Sequence, residues 1–302
     1  VSLDFFNAIQ NREIQMRFVA FKKDGKAKLG VRTDAGLVDL SKVDKTLPTD
    51  LKELLAKGKG AMAKAGRAAA KAPAKAIVKG RVNYLTPIQE PNKIICIGLN
   101  YKDHAAEAGL KIPTYPVVFN RFTTSFVPQG QPIIRPKLSK HFDYEAELVA
   151  VIGKKARNIK KSEALIYVAG YAVANEGSIR DYQMKSSQWA MGKNFDATGS
   201  IGSDFVTADE LPAGAKGLNM QCRVNGKVLQ DSNTREMIFD TKTLVHELAK
   251  VFTLLPGDMI LTGTPAGVGF VRKPAIFLKD GDTCEIEIEK IGILSNPVKN
   301  EK

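Results

Sequence analysis

Cysteine, histidine and tryptophan are scarce in this 302-residue chain, which has three, three and one of them. Cys96, Cys222 and Cys284 are odd in number and far apart, so they spell neither a disulfide framework nor a zinc site. Each reads as a small buried apolar residue. No stretch approaches the roughly 18 uninterrupted apolar residues that a membrane-spanning helix needs. The opening VSLDFFNAIQNREIQ has no basic start followed by a sustained apolar run, and it carries Asp4 and Glu13. Neither a signal nor a transit peptide is expected there, and a soluble cytoplasmic protein is the natural reading.

Acid is also in deficit, with 32 Asp and Glu against 45 Lys and Arg. The excess is concentrated: residues 52–81 hold Lys52, Lys57, Lys59, Lys64, Arg67, Lys71, Lys75, Lys79 and Arg81 against the single acid Glu53. A solvated Lys/Ala helix explains that run. A nucleic-acid surface is the alternative, but the aromatic residues that would stack on bases are missing from it. What remains is ordinary: 44% hydrophobic and 25% charged residues suit a chain long enough to bury a full core.

The first part reads as a small α/β module over residues 1–80. MRFVAF (16–21), KLGVRT (28–33) and GLVDL (36–40) are β-prone runs separated by the turn signals Asp24-Gly25 and Asp34-Ala35-Gly36. A helix begins at Leu51 and runs into the Ala/Lys-rich stretch, which Pro73 should end, and this stretch is expected to be the linker. Residues 81–302 have another texture, with short β-rich segments such as KIICIGL, ELVAVIG, GYAVAN, MQCRVNG, DMILTG and TCEIEIEKIG between glycine turns, and one clear helical pattern near 242–253. The fold class is β-rich α+β with mixed strand pairing.

Four constellations could carry chemistry. In FDYEAELVAVIG, a strand would send Glu145 and Glu147 to one face, and beyond them the segment is apolar on both faces, as in a buried strand. Two carboxylates entering such a place need a compensating cation, and a hard divalent metal is the simplest. The solvated edge of a strand is the alternative. TCEIEIEKIG is a control within the same chain, where Glu285, Glu287 and Glu289 alternate with Ile286 and Ile288 as on a half-exposed strand. In GLNYKDHAAEAG, His104 and Glu107 share a helical face, where a carboxylate raises the basicity of an imidazole and suits it to act on water. His-x-x-Glu is also common on surface helices. ANEGSIRDYQ followed by Gly192-Lys193-Asn194 gathers Glu176, Arg180 and Gln183, and Arg180 could hold a substrate carboxylate bidentately or be an ordinary surface charge. LPGDMILTGTPAGVG is a turn, a short strand and a glycine-rich loop without the Gly-Lys-Ser/Thr ending of a phosphate loop, which suits close backbone approach to a small ligand.

In this order, GLNYKDHAAE, DYEAELVAVIG, GYAVANEGSIRDYQ, GKNFD, VNGKVLQ and PGDMILTGTPAGVG resemble the fumarylacetoacetate hydrolase family over roughly residues 93–292. The resemblance implies mixed β-sheets rolled into a barrel-like core, a smaller N-terminal domain and a homodimer. It implies Mg²⁺ or Mn²⁺ held by Glu145, Glu147 and Glu176, a water-activating dyad of His104 and Glu107, and Lys193 near the reacting carbonyl. Arg180, Gln183 and Thr264 match substrate-contacting positions, and Arg121 is a candidate second contact for an anionic group. One departure stands out: the third metal position is usually Asp followed by a bulky apolar residue, and here it is Glu176-Gly177. The added methylene should push the carboxylate outward unless Gly177 lets the backbone retreat.

The implied activity is metal-dependent hydrolysis of a carbon–carbon bond in a small anionic 1,3-diketo acid, an acylpyruvate or a relative of fumarylacetoacetate. An isomerase or decarboxylase on the same site is the runner-up. A non-catalytic ligand-binding member, or a basic nucleic-acid binder, is the reading from another class.

Overall fold

The computed structural model describes residues 16–107, 109 and 111–302, so the reading of the first fifteen residues lies outside it. One 12-stranded sheet forms the spine, and its main path runs through strands Gly36–Asp39, Lys26–Thr33, Arg17–Lys23, Asp204–Thr207, Val168–Asn175, Ala146–Ile152, Met259–Leu261, Ile94–Gly98 and Val117–Asn120. A five-stranded sheet packs with it, in the order Lys227–Asn233, Asn219–Val224, Thr283–Ile288, Gly292–Asn300 and Ile133–Arg135. Pairing is mixed: Met259–Leu261 lies parallel to Ile94–Gly98, whereas Ala146–Ile152 is antiparallel to both its neighbours. The expected β-rich α+β class is what the chain adopts. Its main sheet path ends at two edges and the barrel does not close.

The strands follow the hydrophobic pattern. Thr283–Ile288 alternates half-buried and buried residues, as its alternating Glu and Ile require, while every residue of Ala146–Ile152 is buried. The N-terminal strands belong to the same large sheet, with Phe18 opposite Phe205 and Phe21 opposite Tyr84. Helices obey their caps. Asp50 accepts a hydrogen bond from Glu53 N ahead of helix Leu51–Ala56, and Asp240 accepts one from Thr243 N ahead of Thr241–Val251.

The Ala/Lys-rich stretch is a correction to the expected linker. It forms helix Lys59–Ala70 and buries Met62, Ala65, Gly66 and Ala69, the i, i+3, i+4, i+7 positions of one face, in the core on that side of the sheet. Lys64 pairs with Asp44 at 2.8 Å, while Lys59 and Arg67 stay exposed, so the part of the basic run that lies in this helix is its wet face. Among the described residues no helix is long and apolar enough to cross a membrane.

Candidate active site

Register builds the centre of the site. Ala146 pairs with Asn175 across the antiparallel ladder, so the next residue outward on each strand, Glu145 and Glu176, must face each other. Backbone hydrogen bonds hold them there: Glu176 N donates to Glu145 O at 2.9 Å, and Glu145 N donates to Asn175 Oδ1 at 3.0 Å. Glu147 stands one step into the ladder, where its Oε2 accepts from Gly263 N of the glycine-rich loop at 2.9 Å. A ligand oxygen from each of Glu145, Glu147 and Glu176 lies within 4.8 Å of the other two. All three residues are buried.

Two buried cations pair with these acids. The Lys193 ammonium, at the end of the short helix Ala190–Lys193, donates to Glu145 Oε2 and Glu176 Oε2, both at 2.8 Å. Arg180 forms an ion pair with Glu145 Oε1 at 2.7 Å and donates to Asp143 Oδ2 at 2.8 Å and to Gln183 Oε1 at 2.9 Å. Burial alone would raise the Glu145 pKa, but Lys193 and Arg180 outweigh it and hold the group down at about 2. Glu147 has no such neighbour in direct contact. Burial first, and the repulsion of Glu176 and Glu145 second, push its pKa well above the usual carboxylate range. Burial opposes the charge of Lys193, yet Glu145 and Glu176 raise its pKa and keep it an ammonium.

The donor set fits a hard divalent cation. It offers three carboxylates, one of whose oxygens, Glu176 Oε1, is buried without any hydrogen-bond partner. It also contains a carboxyl, Glu147, whose ionisation burial opposes and a further cation would favour. Ligand oxygens around one such cation stand up to about 4–5 Å apart across the ion, which matches the spacing here. Glu176 therefore does not overshoot, despite its extra methylene. Gly177 shows why the pair departs together: a Cβ there would lie 2.0 Å from Thr198 O, so the backbone approaches closer than a bulky residue allows.

A cavity of about 330 Å³ opens over the acids. His104, Arg180, Gln183, Lys193 and Thr264 line it with polar groups, and Phe119, Met184, Trp189 and Phe270 form part of an apolar wall. Gly98 makes room for the wall, since a Cβ there would stand 2.1 Å from the Trp189 ring. Helix Lys102–Glu107 carries the expected dyad, but His104 Nδ1 is 3.7 Å from Glu107 Oε2 and has no hydrogen-bond partner. Glu107 Oε2 instead accepts from Gly267 N at 2.9 Å. Burial lowers the His104 pKa, so the imidazole is neutral at neutral pH.

Arg121 is the sequence candidate that the structure does not bring to the cavity. It is buried beside Phe126 and gives its hydrogen bonds to Ser125, Thr198 and Gly177 O, so it braces the backbone next to Glu176. Two residues without a sequence assignment are central. Asp143 anchors Arg180, and Gln230 donates to Thr264 Oγ1 at 2.8 Å and to Pro265 O at 2.9 Å while accepting from Ala146 N. Both lie inside recognised motifs, DYEAEL and VNGKVLQ, and that was the only signal they gave.

The fumarylacetoacetate (FAA) hydrolase C-terminal profile matches residues 93–299. A mitochondrial oxaloacetate tautomerase of Xenopus laevis is 41% identical over 298 residues, covering 97% of this chain and 93% of that protein. Among solved structures, the fumarylacetoacetate hydrolase of Exiguobacterium antarcticum superposes with a TM-score of 0.81 at 32% identity, covering 95% of this chain and all of the other. The 5-carboxymethyl-2-hydroxymuconate delta-isomerase of Mycobacterium smegmatis gives 0.71 at 29% identity, with 95% and 100% covered.

Proposed function

This chain belongs to the fumarylacetoacetate hydrolase family, and we propose that it interconverts the enol and keto forms of a short 2-keto dicarboxylate of the oxaloacetate type. The observation that carries this reading is the state of the dyad. A base that activates water needs its orienting carboxylate in hydrogen-bond contact, and Glu107 is engaged with Gly267 N instead. Tautomerisation asks for less: one neutral base beside the carbon, and cationic groups where negative charge develops on the keto oxygen.

Glu145, Glu147 and Glu176 would hold Mg²⁺ or Mn²⁺, which when bound supplies a Lewis acid for the substrate's carboxylate and keto oxygens. Toward the enol, His104 takes the proton from the carbon beside the keto group, the carbon–carbon double bond forms as the carbonyl electron pair moves onto oxygen, and the imidazolium gives the proton to that oxygen; toward the keto form the same transfers run in reverse. Lys193 donates a hydrogen bond to the oxygen that gains charge. Arg180, whose buried Nη2 lacks a partner, offers it to a substrate carboxylate, with Gln183 and Thr264 beside it. The apolar wall keeps water from the reacting carbon.

Hydrolysis of an acylpyruvate is the second reading, favoured by the presence of both His104 and Glu107 within one short movement of contact. The deciding experiment follows the enol absorbance of oxaloacetate with chelator-treated protein before and after Mg²⁺ or Mn²⁺, with acetylpyruvate in parallel. Metal-dependent loss of the enol signal without release of pyruvate is expected. Pyruvate and acetate from acetylpyruvate would make the chain a hydrolase, and pyruvate with CO₂ from oxaloacetate a decarboxylase. Metal binding without turnover would leave a ligand-binding protein. His104→Ala should lose turnover and keep the metal, and unchanged turnover would remove His104 from the chemistry. The homodimer and a cytoplasmic location remain proposals beside this one, to be checked by light scattering and by cell fractionation against the mitochondrial naming of the relative.

A further inference from the structure

The geometry points to Asp143 as the positioning residue for substrate binding, acting through Arg180 and through the glycine-rich loop without touching substrate itself. Asp143 is fully buried and does not line the cavity. Its Oδ2 accepts from Arg180 Nε at 2.8 Å and from Phe270 N at 3.0 Å, and its Oδ1 accepts from Gly269 N at 2.7 Å and Tyr144 N at 2.8 Å. One carboxylate thus joins the arginine on one side of the cavity to the loop on the other. A short ladder builds the junction: Asp143 pairs with Ser178, and Arg180 lies two residues beyond.

The contact with Arg180 decides where its free nitrogen goes. Asp143 takes Nε, Glu145 and Gln183 take Nη1, and Nη2 is left. Asp143 and Glu145 pull the planar guanidinium from two directions, which fixes its plane. Without the Asp143 charge, the guanidinium is free to turn toward Glu145, and Nη2 leaves its place. On the loop side, Gly269 and Phe270 are pinned, and with them the wall residues Val268 and Phe270. A Cβ at residue 269 would stand 2.6 Å from Asp143 Oδ1, so the glycine is required by the carboxylate as well as by Ile276 O.

This inference rests on Arg180 as the substrate contact, not on the reaction being a tautomerisation. The test measures Mn²⁺ binding and then oxalate binding to the Mn²⁺-loaded protein by calorimetry, and KM and kcat for oxaloacetate, in the full chain. Asp143→Asn places an amide where an acceptor is needed, and it should weaken oxalate binding and raise KM by about tenfold or more. Mn²⁺ affinity without oxalate should move by less than about threefold, and kcat should fall less than KM rises. In an Arg180→Gln background, Asp143→Asn should add less than about a further twofold.

Independent, multiplying effects of the two substitutions would overturn the inference, as would equal losses of Mn²⁺ and oxalate binding, because either describes a structural anchor alone. If Asp143→Asn does not fold, Asp143→Glu keeps the charge and displaces it, and it should give the same split between oxalate and Mn²⁺ at smaller size. An unchanged oxalate affinity there would overturn the inference too. If the parent protein leaves oxaloacetate unchanged while the oxalate split holds, the reaction proposed above fails and the role of Asp143 stands.

Discussion

Two segments of this chain carry glutamates two residues apart, Glu145 with Glu147 and Glu285 with Glu287, and they meet different surroundings. The second pair alternates with Ile286 and Ile288, so one face of the strand packs and the other stays wet. Its side chains keep 31% and 43% of their exposure, and Arg223 meets Glu287 at 2.6 Å on that surface. Around the first pair the strand is covered on both faces, with Leu148 and Ala150 in one core and Val149 and Val151 in the other. Those glutamates stay buried because Lys193 and Arg180 are buried with them. The same spacing is a wet face in one place and a buried cluster of carboxylates in the other, and what separates them is how the acid's own face continues: Val149 and Val151 pack into a core after Glu147, whereas Glu289 follows Glu287.

The comparison breaks first at Lys193. Lys193→Met in chelator-treated protein leaves Glu145 and Glu176 without their shared cation, and breaking such a buried pair costs about 3–5 kcal/mol. Urea unfolding should show that loss, with added Mn²⁺ restoring part of it. A stability equal to the parent's would mean the acids were not charged together. Glu147→Gln should act in the opposite sense on the metal-free protein, since it removes a carboxyl that burial and two neighbours oppose. The same variant should lose more than about 100-fold in Mn²⁺ affinity and turnover, because even outer partners of a metal site are worth about 10–100-fold. Glu287→Gln, the matching change on the wet strand, should leave both unaltered.

pH sharpens the contrast within the buried pair. The folded-state pKa of Glu147 lies above its ordinary value near 4.5, so between these two values the folded chain holds a proton that the unfolded chain releases. Its contribution to metal-free stability is therefore present at low pH and lost as pH rises through the folded value. Glu145, held at about 2, contributes the reverse: stability present above 4.5 and lost as pH falls toward 2. Stability measured against pH for the parent minus that for Glu147→Gln should slope downward above pH 4.5, whereas parent minus Glu145→Gln should slope upward between 2 and 4.5. A flat difference for Glu147→Gln would show that its carboxyl ionises freely.

Much of this contrast is legible in the sequence. Alternation marks Thr283–Ile288, a helical pattern near 242–253 marks the helix Thr241–Val251, and the doubly apolar run after Glu147 marks the buried strand. The helix Lys59–Ala70 was read as a linker because its buried face is made of Ala65, Gly66 and Ala69 with a single Met62, too small a hydrophobic signal to show against the lysines. Arg121 was misplaced for another reason. A sequence shows that a guanidinium exists, not that Ser125, Thr198 and Gly177 have taken its donors. Asp143 escaped because its partners Arg180 and Gly269 lie 37 and 126 residues away, a distance that local pattern does not cover.

The smallest effect is expected at Arg223, which stands to Glu285 and Glu287 as Lys193 stands to Glu145 and Glu176. In both places a cation meets two carboxylates, and a description by contacts alone would rank them equal. The difference is the water. Glu287 remains hydrated whether or not Arg223 is there, so Arg223→Ala removes an attraction without stranding a charge, and such exposed pairs contribute about 0–1 kcal/mol. Urea midpoints for Arg223→Ala should therefore fall within that range and shift less in 1 M salt, where about 3 Å of screening length already quenches the parent's pair. A loss as large as that of Lys193→Met would mean that burial is not what separates the two glutamate pairs.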